Sequence, residues 1–286
     1  MKIDRFRRLL DVTVAEAVGT KILPPRSALA AIDSTGLEAH HTSHYFVKRR
    51  AKGGRSWQKT TYRRFPKLAV VCACRSHFIL SAVTIRGPSL DITHLERAAV
   101  DAVFRHRFGT LLADAGYDAE WAHHLLRLEL SVRSIIPPLI GRQTTKLPTG
   151  YYRRLMRTRF AKKTYGQRWQ VETVYSMIKR RQGDSLSAHT VHSQNRVMRL
   201  MVIAHNIMIL RHTYRVFYRA PDTPSTEQEE RLLISRSAIE SSERPTAVVG
   251  HYLGNPRLQL HAGGLCLPRR SISVRISVLL TFVLLT

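Results

Sequence analysis

Cysteine is scarce in this chain, with three in 286 residues: Cys72, Cys74 and Cys266. So odd and sparse a set gives no disulfide framework and no CxxC pair, which fits a reducing cytoplasm. Cys72 and Cys74 lie in an apolar run, where alternate strand residues share a face. Buried thiols are the plain reading there, and a two-cysteine metal site is the sharper one. Long apolar runs are also lacking. The N-terminus MKIDRFRRLLDV has no apolar signal core. The one membrane-like stretch, ISVLLTFVLLT (276–286), is too short for a bilayer, which takes about 20 residues. No stable membrane association is expected. Negative charge is scarce too: 20 Asp+Glu stand against 46 Lys+Arg, for a net charge of +26. A hydrophobic fraction of 44% excludes a disordered basic tail, and the length suffices to bury a real core. Such a cation excess repels itself unless something anionic is bound, with nucleic acid the first candidate.

The charge is unevenly spread. Between Ala39 and Leu90 there is no acidic residue. That stretch carries Lys48, Arg49, Arg50, Lys52, Arg55, Lys59, Arg63 and Arg64, interleaved with Tyr45, Trp57 and Tyr62. A second basic region runs from Arg142 to Arg181, where Glu172 is the only acid. Residues 215–286 hold nine Lys/Arg against six Asp/Glu and do not share the trend. With PDTPSTEQEE (221–230) reading as a linker, three parts follow. They are a short N-terminal helical region (1–26), a main domain (27–214), and a poorly structured or unrelated tail (215–286).

Periodicity supplies the elements of the main domain. A short amphipathic helix is predicted over 5–19 and a buried strand over SALAAID (27–33). LEAHHTSHYFV (37–47) reads as a second strand. KLAVVCAC (67–74) and FILSAVTIR (78–86) read as a hairpin. Residues 91–105 form a helix with Leu95, Ala98, Ala99 and Ala102 on one face and Asp91 as its cap. TLLAD (110–114) is a strand, 119–130 a helix, and 131–140 a strand ended by its prolines. Helices over 165–181 and 193–210 complete the set. In the latter Met198, Leu200, Met201, Ile203, Ile207, Met208 and Leu210 read as core. The order predicts an α/β domain, a mixed sheet with helices on both faces, as in the ribonuclease H-like fold.

The rare acids carry the chemistry. Asp33 and Asp114 are predicted to end two buried strands, and chemistry gathers at strand carboxyl ends. Alone, each would read as a turn or cap residue. Joined by a carboxylate from a helix, they make a set of hard oxygen ligands suited to Mg²⁺. Glu172 is the third acid. At about 100° per residue, Tyr165, Arg168, Glu172 and Lys179 form one row on the helix 165–181. A solvated face with one salt bridge would also explain that spacing.

Tyr165-x2-Arg168-x3-Glu172-x6-Lys179 is the Y-R-E-K signature of bacterial insertion-sequence transposases. ALAAIDSTGL (28–37) and LLADAGYDA (111–119) resemble the first and second Asp motifs of the same family. From about Ser27 to Leu210 the chain resembles the DDE group called the insertion-sequence four/five superfamily. The resemblance implies that Asp33, Asp114 and Glu172 are catalytic and hold two Mg²⁺ (or Mn²⁺) ions. It implies cleavage at the ends of a mobile element, then attack of the freed 3′-hydroxyl on target DNA, without a covalent protein–DNA intermediate. Tyr165, Arg168, Lys179 and Arg180 would contact DNA, together with the basic residues between Lys48 and Arg64, with orienting Glu172 the other role open to Arg168. The partners implied are double-stranded DNA (transposon ends and target) and a second copy, since two ends must be joined. The location implied is the cytoplasm, at the nucleoid. A ribonuclease H-like nuclease and a non-enzymatic DNA-binding remnant are the alternatives. About thirty residues precede Asp33, fewer than in the family, and the tail after Tyr214 matches no part of it. A truncated or decayed element product is therefore expected. Among other residues, His40 and His41 are placed near the metal site and Trp57 is suited to base stacking. Trp121 and Trp169 are expected to pack inward.

Overall fold

Phe6, Leu10, Val14 and Ala17 recur at three- and four-residue spacing, and Ile3–Gly19 forms a helix (α1) that buries that stripe. The structure is a computed structural model of the chain and describes residues 2–40, 44–50, 57–139 and 147–217. His41, Lys52, Arg55, Cys266 and the tail from 218 onward lie outside the described residues.

After α1 the chain runs through β1 (Ser27–Gly36), β2 (Glu38–Ala39), β3 (His44–Arg50), β4 (Trp57–Arg63), β5 (Phe65–Ala73) and β6 (Phe78–Gly87). A 3₁₀ turn (Asp91–His94) leads into α2 (Leu95–Arg105), then β7 (Phe108–Leu112) and a second 3₁₀ turn (Ala115–Tyr117). Next come α3 (Glu120–His124), which continues into a π turn (Leu125–Glu129), β8 (Arg133–Ile135), α4 (Tyr151–Thr158) and α5 (Lys162–Tyr165). A third 3₁₀ turn (Gly166–Arg168), α6 (Trp169–Gln182), β9 (Ser185–Leu186) and α7 (Val191–Phe217) complete the order.

The main sheet has five strands in the order β6-β5-β1-β7-β8. The pairs β6/β5 and β5/β1 are antiparallel, whereas β1/β7 and β7/β8 are parallel. Antiparallel strands in chain order followed by two parallel crossovers give the predicted ribonuclease H-like arrangement. Strand residues alternate between faces, and two apolar clusters form accordingly. Ile32, Val71 and Leu80 pack with Leu95, Ala98, Ala99 and Ala102 of α2. Ala31, Val70, Cys72 and Ile79 pack with Val171, Val174 and Ile178 of α6 and Met198 and Val202 of α7. Phe6 and Leu10 of α1 belong to this second cluster. Helices thus cover both faces. Buried Asn206 of α7 holds the edge strand β6: its side chain accepts from the Ile79 N–H (3.0 Å) and donates to the Ile79 carbonyl (2.9 Å).

Several local expectations change. LEAHHTSHYFV does not supply the second strand of the sheet; β5 does. Instead β2 pairs with β9, and β3 pairs with β4 as a separate antiparallel ribbon. The reason is visible in WQKTTYR (57–63), which has polar residues on both faces and is exposed nearly throughout. Such a strand has no side to bury. Lys48 stands directly opposite Lys59, a like-charge pair that destabilises a bare ribbon. The expected helix 165–181 is interrupted by the turn Gly166–Arg168. Since a 3₁₀ turn advances about 120° per residue, Tyr165 does not continue the α6 stripe by simple helical spacing. Trp121 and Trp169 do not pack inward: they are 47% and 53% exposed. Leu200, expected in the core, is also exposed. Asp91 does not cap α2, whose N-cap position is His94. α4 was not foreseen. It is held by Glu120, whose carboxylate accepts from the N–H groups of Tyr152 and Arg153, and by the Arg153–Asp118 ion pair. Among the described residues no helix is long and apolar enough to cross a membrane.

Candidate active site

The site grows from the pairing of β1 with β7. Their last paired rung is Ala31 opposite Leu112. Asp33 and Asp114 each lie two residues beyond it, so the parallel strands deliver both carboxylates to the same end of the sheet. Asp33 was expected to end its strand. Instead β1 runs on to Gly36, because β5 continues to pair with it and Val70 stands opposite Asp33. Asp114 was also expected to end its strand, but β7 stops at Leu112; Asp114 caps the following turn Ala115–Tyr117, and its Oδ1 accepts from the Gly116 N–H at 2.9 Å.

Helix α6 closes the site. Tyr175, buried on α6, donates its hydroxyl to the Asp33 carbonyl (2.5 Å) and accepts from the Val70 N–H (3.2 Å). This pins α6 across β1 and β5. About two turns earlier, at the end of the turn that leads into α6, Arg168 forks between two acids: Nη1 reaches Asp33 Oδ2 at 3.2 Å and Nη2 reaches Glu172 Oε1 at 2.5 Å. Glu172 is the more open of the two, with 54% of its side chain exposed against 18% for Asp33. Tyr165 lies beside Arg168 and close to Asp114 and Asp33; burial raises its hydroxyl pKa, the two acids add to that, and Arg168 opposes it.

Burial also raises the pKa of Asp33, and the negative charges of Asp114 and Asp91 push the same way. The Ser34 N–H (2.8 Å) and Arg168 oppose the shift. Asp91 is the residue that sequence reasoning missed at this site. Its Oδ1 accepts from the Ser34 hydroxyl and pairs with Lys67 Nζ at 2.5 Å. The available signal was its position as the first acid after the long acid-free stretch.

Among the described residues no three His, Cys, Asp or Glu side chains stand together as a ready metal cage. The donor chemistry nevertheless fits Mg²⁺: Asp33, Asp114 and Glu172 offer hard carboxylate oxygens. A guanidinium already provides positive charge between two of them.

The remaining expected residues lie farther out. Lys179 is half-buried and Arg180 exposed toward the end of α6, where cations also complement the helix dipole. Lys48, Lys59 and Arg63 are exposed on the β3–β4 ribbon, and Arg64, just after it, is half-buried. Arg63 donates to the Ala39 carbonyl (2.9 Å). Arg49 and Arg50 lie on β3, opposite Gln58 and Trp57. Trp57 is exposed there, and His40 is exposed as well. Cys72 and Cys74 are buried, and burial pushes the Cys74 thiol up to about 12, which favours the plain reading of buried thiols.

Residues 24–207 match the family model described as the transposase DDE domain. Nothing among curated proteins matches the chain. A similar solved structure is the cryo-EM structure of the piggyBac transposase synaptic complex with hairpin DNA. The identity is 10% and the TM-score 0.37, over 79% of this chain. The match spans 59% of that chain's length. The family match runs through most of the chain and takes in Asp33, Asp114, Arg168 and Glu172 together. This chain belongs to the transposase DDE domain family.

Proposed function

We propose that this chain cuts and joins DNA as the transposase of an insertion sequence of the four/five group. The observation that carries the reading is the β1–β7 register, which brings Asp33 and Asp114 together, with Glu172 tied to Asp33 through Arg168. Asp33, Asp114 and Glu172 are the residues that would hold two Mg²⁺ (or Mn²⁺) ions. When bound, such ions supply Lewis-acid chemistry at a phosphodiester. Arg168, between Asp33 and Glu172, is placed to grip phosphate, with Tyr165 beside it. Lys179 and Arg180 extend the same helix toward the backbone of bound DNA. The ribbon β3–β4 adds sequence-independent phosphate contacts, which position DNA without reading it. The partners are double-stranded transposon ends and target DNA. Joining two ends calls for a homodimer, working at the nucleoid.

The test is metal-dependent nicking of a DNA duplex by the full chain. Asp33→Asn, Asp114→Asn and Glu172→Gln should each abolish cutting while leaving binding largely intact. Cutting that survives any one of them overturns the triad. Joining of a pre-cut 3′-hydroxyl end to a target duplex separates a transposase from a nuclease of the same fold. A second reading, DNA binding without cleavage, is favoured by the position of Arg168 between Asp33 and Glu172. Failure of the unaltered chain to nick with Mg²⁺ or Mn²⁺ would select it.

A further inference from the structure

Tyr117 is fully buried beneath the acids. Its hydroxyl lies near Asp91, Asp33 and Asp114, beside Ser34.

Asp91 organises the cluster. The Ser34 hydroxyl donates to Asp91 Oδ1, while the Ser34 backbone N–H donates to Asp33 Oδ1 at 2.8 Å. One residue therefore links the two acids. On the other side Asp91 faces Asp114 across Gly116. A Cβ at Gly116 would stand 3.0 Å from Asp114 Oδ1 and 3.6 Å from Asp91 Oδ2. Lys67, only 9% exposed, balances Asp91 and also donates to the Ser89 carbonyl at 2.8 Å. Burying the lysine beside a half-buried Asp91 is expensive, and an apolar pair would serve packing as well or better. The pair makes sense where a fixed negative charge is wanted beside other acids.

We propose that Asp91 is a positioning residue of the catalytic centre. It holds Ser34, and through Ser34 it sets Asp33 in the orientation in which Asp33 and Asp114 take up a divalent cation. Lys67 is its fixed countercharge. The inference rests on the reading of Asp33 and Asp114 as metal-holding acids.

The probe is Mn²⁺ alone, titrated calorimetrically into the full chain, with nicking measured in parallel. Asp91→Asn keeps an acceptor for Ser34 but turns the charge-assisted hydrogen bond into a weaker neutral one, and should weaken Mn²⁺ binding by about threefold to tenfold. Ser34→Ala leaves every charge in place and removes the link, so it should weaken binding in the same direction. DNA affinity in EDTA should stay at the wild-type value for both. A purely structural Asp91 would lower the melting temperature and leave Mn²⁺ affinity unchanged, and that result overturns the proposal. If Asp91→Asn does not fold, Ser34→Ala decides: wild-type Mn²⁺ affinity in that variant is equally fatal. A wild-type chain that binds Mn²⁺ with this dependence but never nicks supports the role of Asp91 and removes the cleavage reading. A wild-type chain that nicks while Asp91→Asn binds Mn²⁺ normally does the reverse. Absence of Mn²⁺ uptake by the wild-type chain overturns the inference outright.

Discussion

Asp33 and Asp114 stand two residues past the same rung, Ala31 opposite Leu112, on neighbouring parallel strands. Eighty-one positions of sequence separate them, and strand register alone brings them together. A one-residue slip of β1 would send the Asp33 side chain to the other face of the sheet. The site is therefore only as well defined as that register.

The Tyr175 hydroxyl fixes α6 to the strand that carries Asp33. Tyr175→Phe would leave the Asp33 carbonyl and the Val70 N–H without this partner. The expected cost is about 1–3 kcal/mol, read as a shift in the urea midpoint at constant slope. Nicking should fall further than stability alone explains, because Glu172 rides on the same helix. An unaltered midpoint would show that the hydroxyl does not anchor α6.

The raised pKa of Asp33 has a stability consequence with a definite sign. Its ordinary value is 3.8, and its value in the folded chain is higher. The contribution of Asp33 is full below the ordinary value and is lost as pH rises through the folded value. Asp33→Asn cannot ionise there. The melting temperature of the variant should therefore gain on that of the wild type as pH rises through this window. Parallel melting curves across it would contradict the assigned burial.

Arg168 supplies the positive charge between Asp33 and Glu172. Arg168→Ala should make the fold more dependent on divalent cation, since the acids lose their internal counterion. Mg²⁺ should then raise the melting temperature of the variant by more than it raises that of the wild type. Equal shifts would show that Arg168 and the cation do not act on the same charges. Arg168→Lys should behave more like Ala than like Arg, because an ammonium lacks the planar fork that reaches two carboxylates.

The ribbon β3–β4 places Lys48 opposite Lys59, both exposed. Lys48→Glu combined with Lys59→Glu should weaken DNA binding equally for unrelated sequences. If each lysine neutralises one phosphate, the log–log salt slope should shrink by about 1.8. Fluorescence anisotropy over a salt series measures it, and an unchanged slope would take the ribbon off the DNA.

Much of this was legible in the chain itself. The apolar runs around Ile32, Val71, Leu80 and Leu111 marked the sheet, and Leu95, Ala98, Ala99 and Ala102 marked the face of α2. Scarcity of acid singled out Asp33, Asp114 and Glu172. Other features were not legible. Asp91 has the local pattern of a cap, yet its partners Ser34 and Lys67 are 57 and 24 residues away. Trp121 and Trp169 have apolar bulk, but nothing local says that their helix faces turn outward. The stretch before Arg50 has strand composition, but only the polar faces of its partner β4 keep it out of the main sheet.

The sequence by itself determined which segments bury a face and which charges are rare, because periodicity and composition act residue by residue. Only the tertiary structure decided that Asp33 meets Asp114, that Arg168 spans Asp33 and Glu172, and that Asp91 joins them. Those distances are set by strand register and by the seating of α6 on the sheet. Both are products of long-range packing that no local pattern encodes.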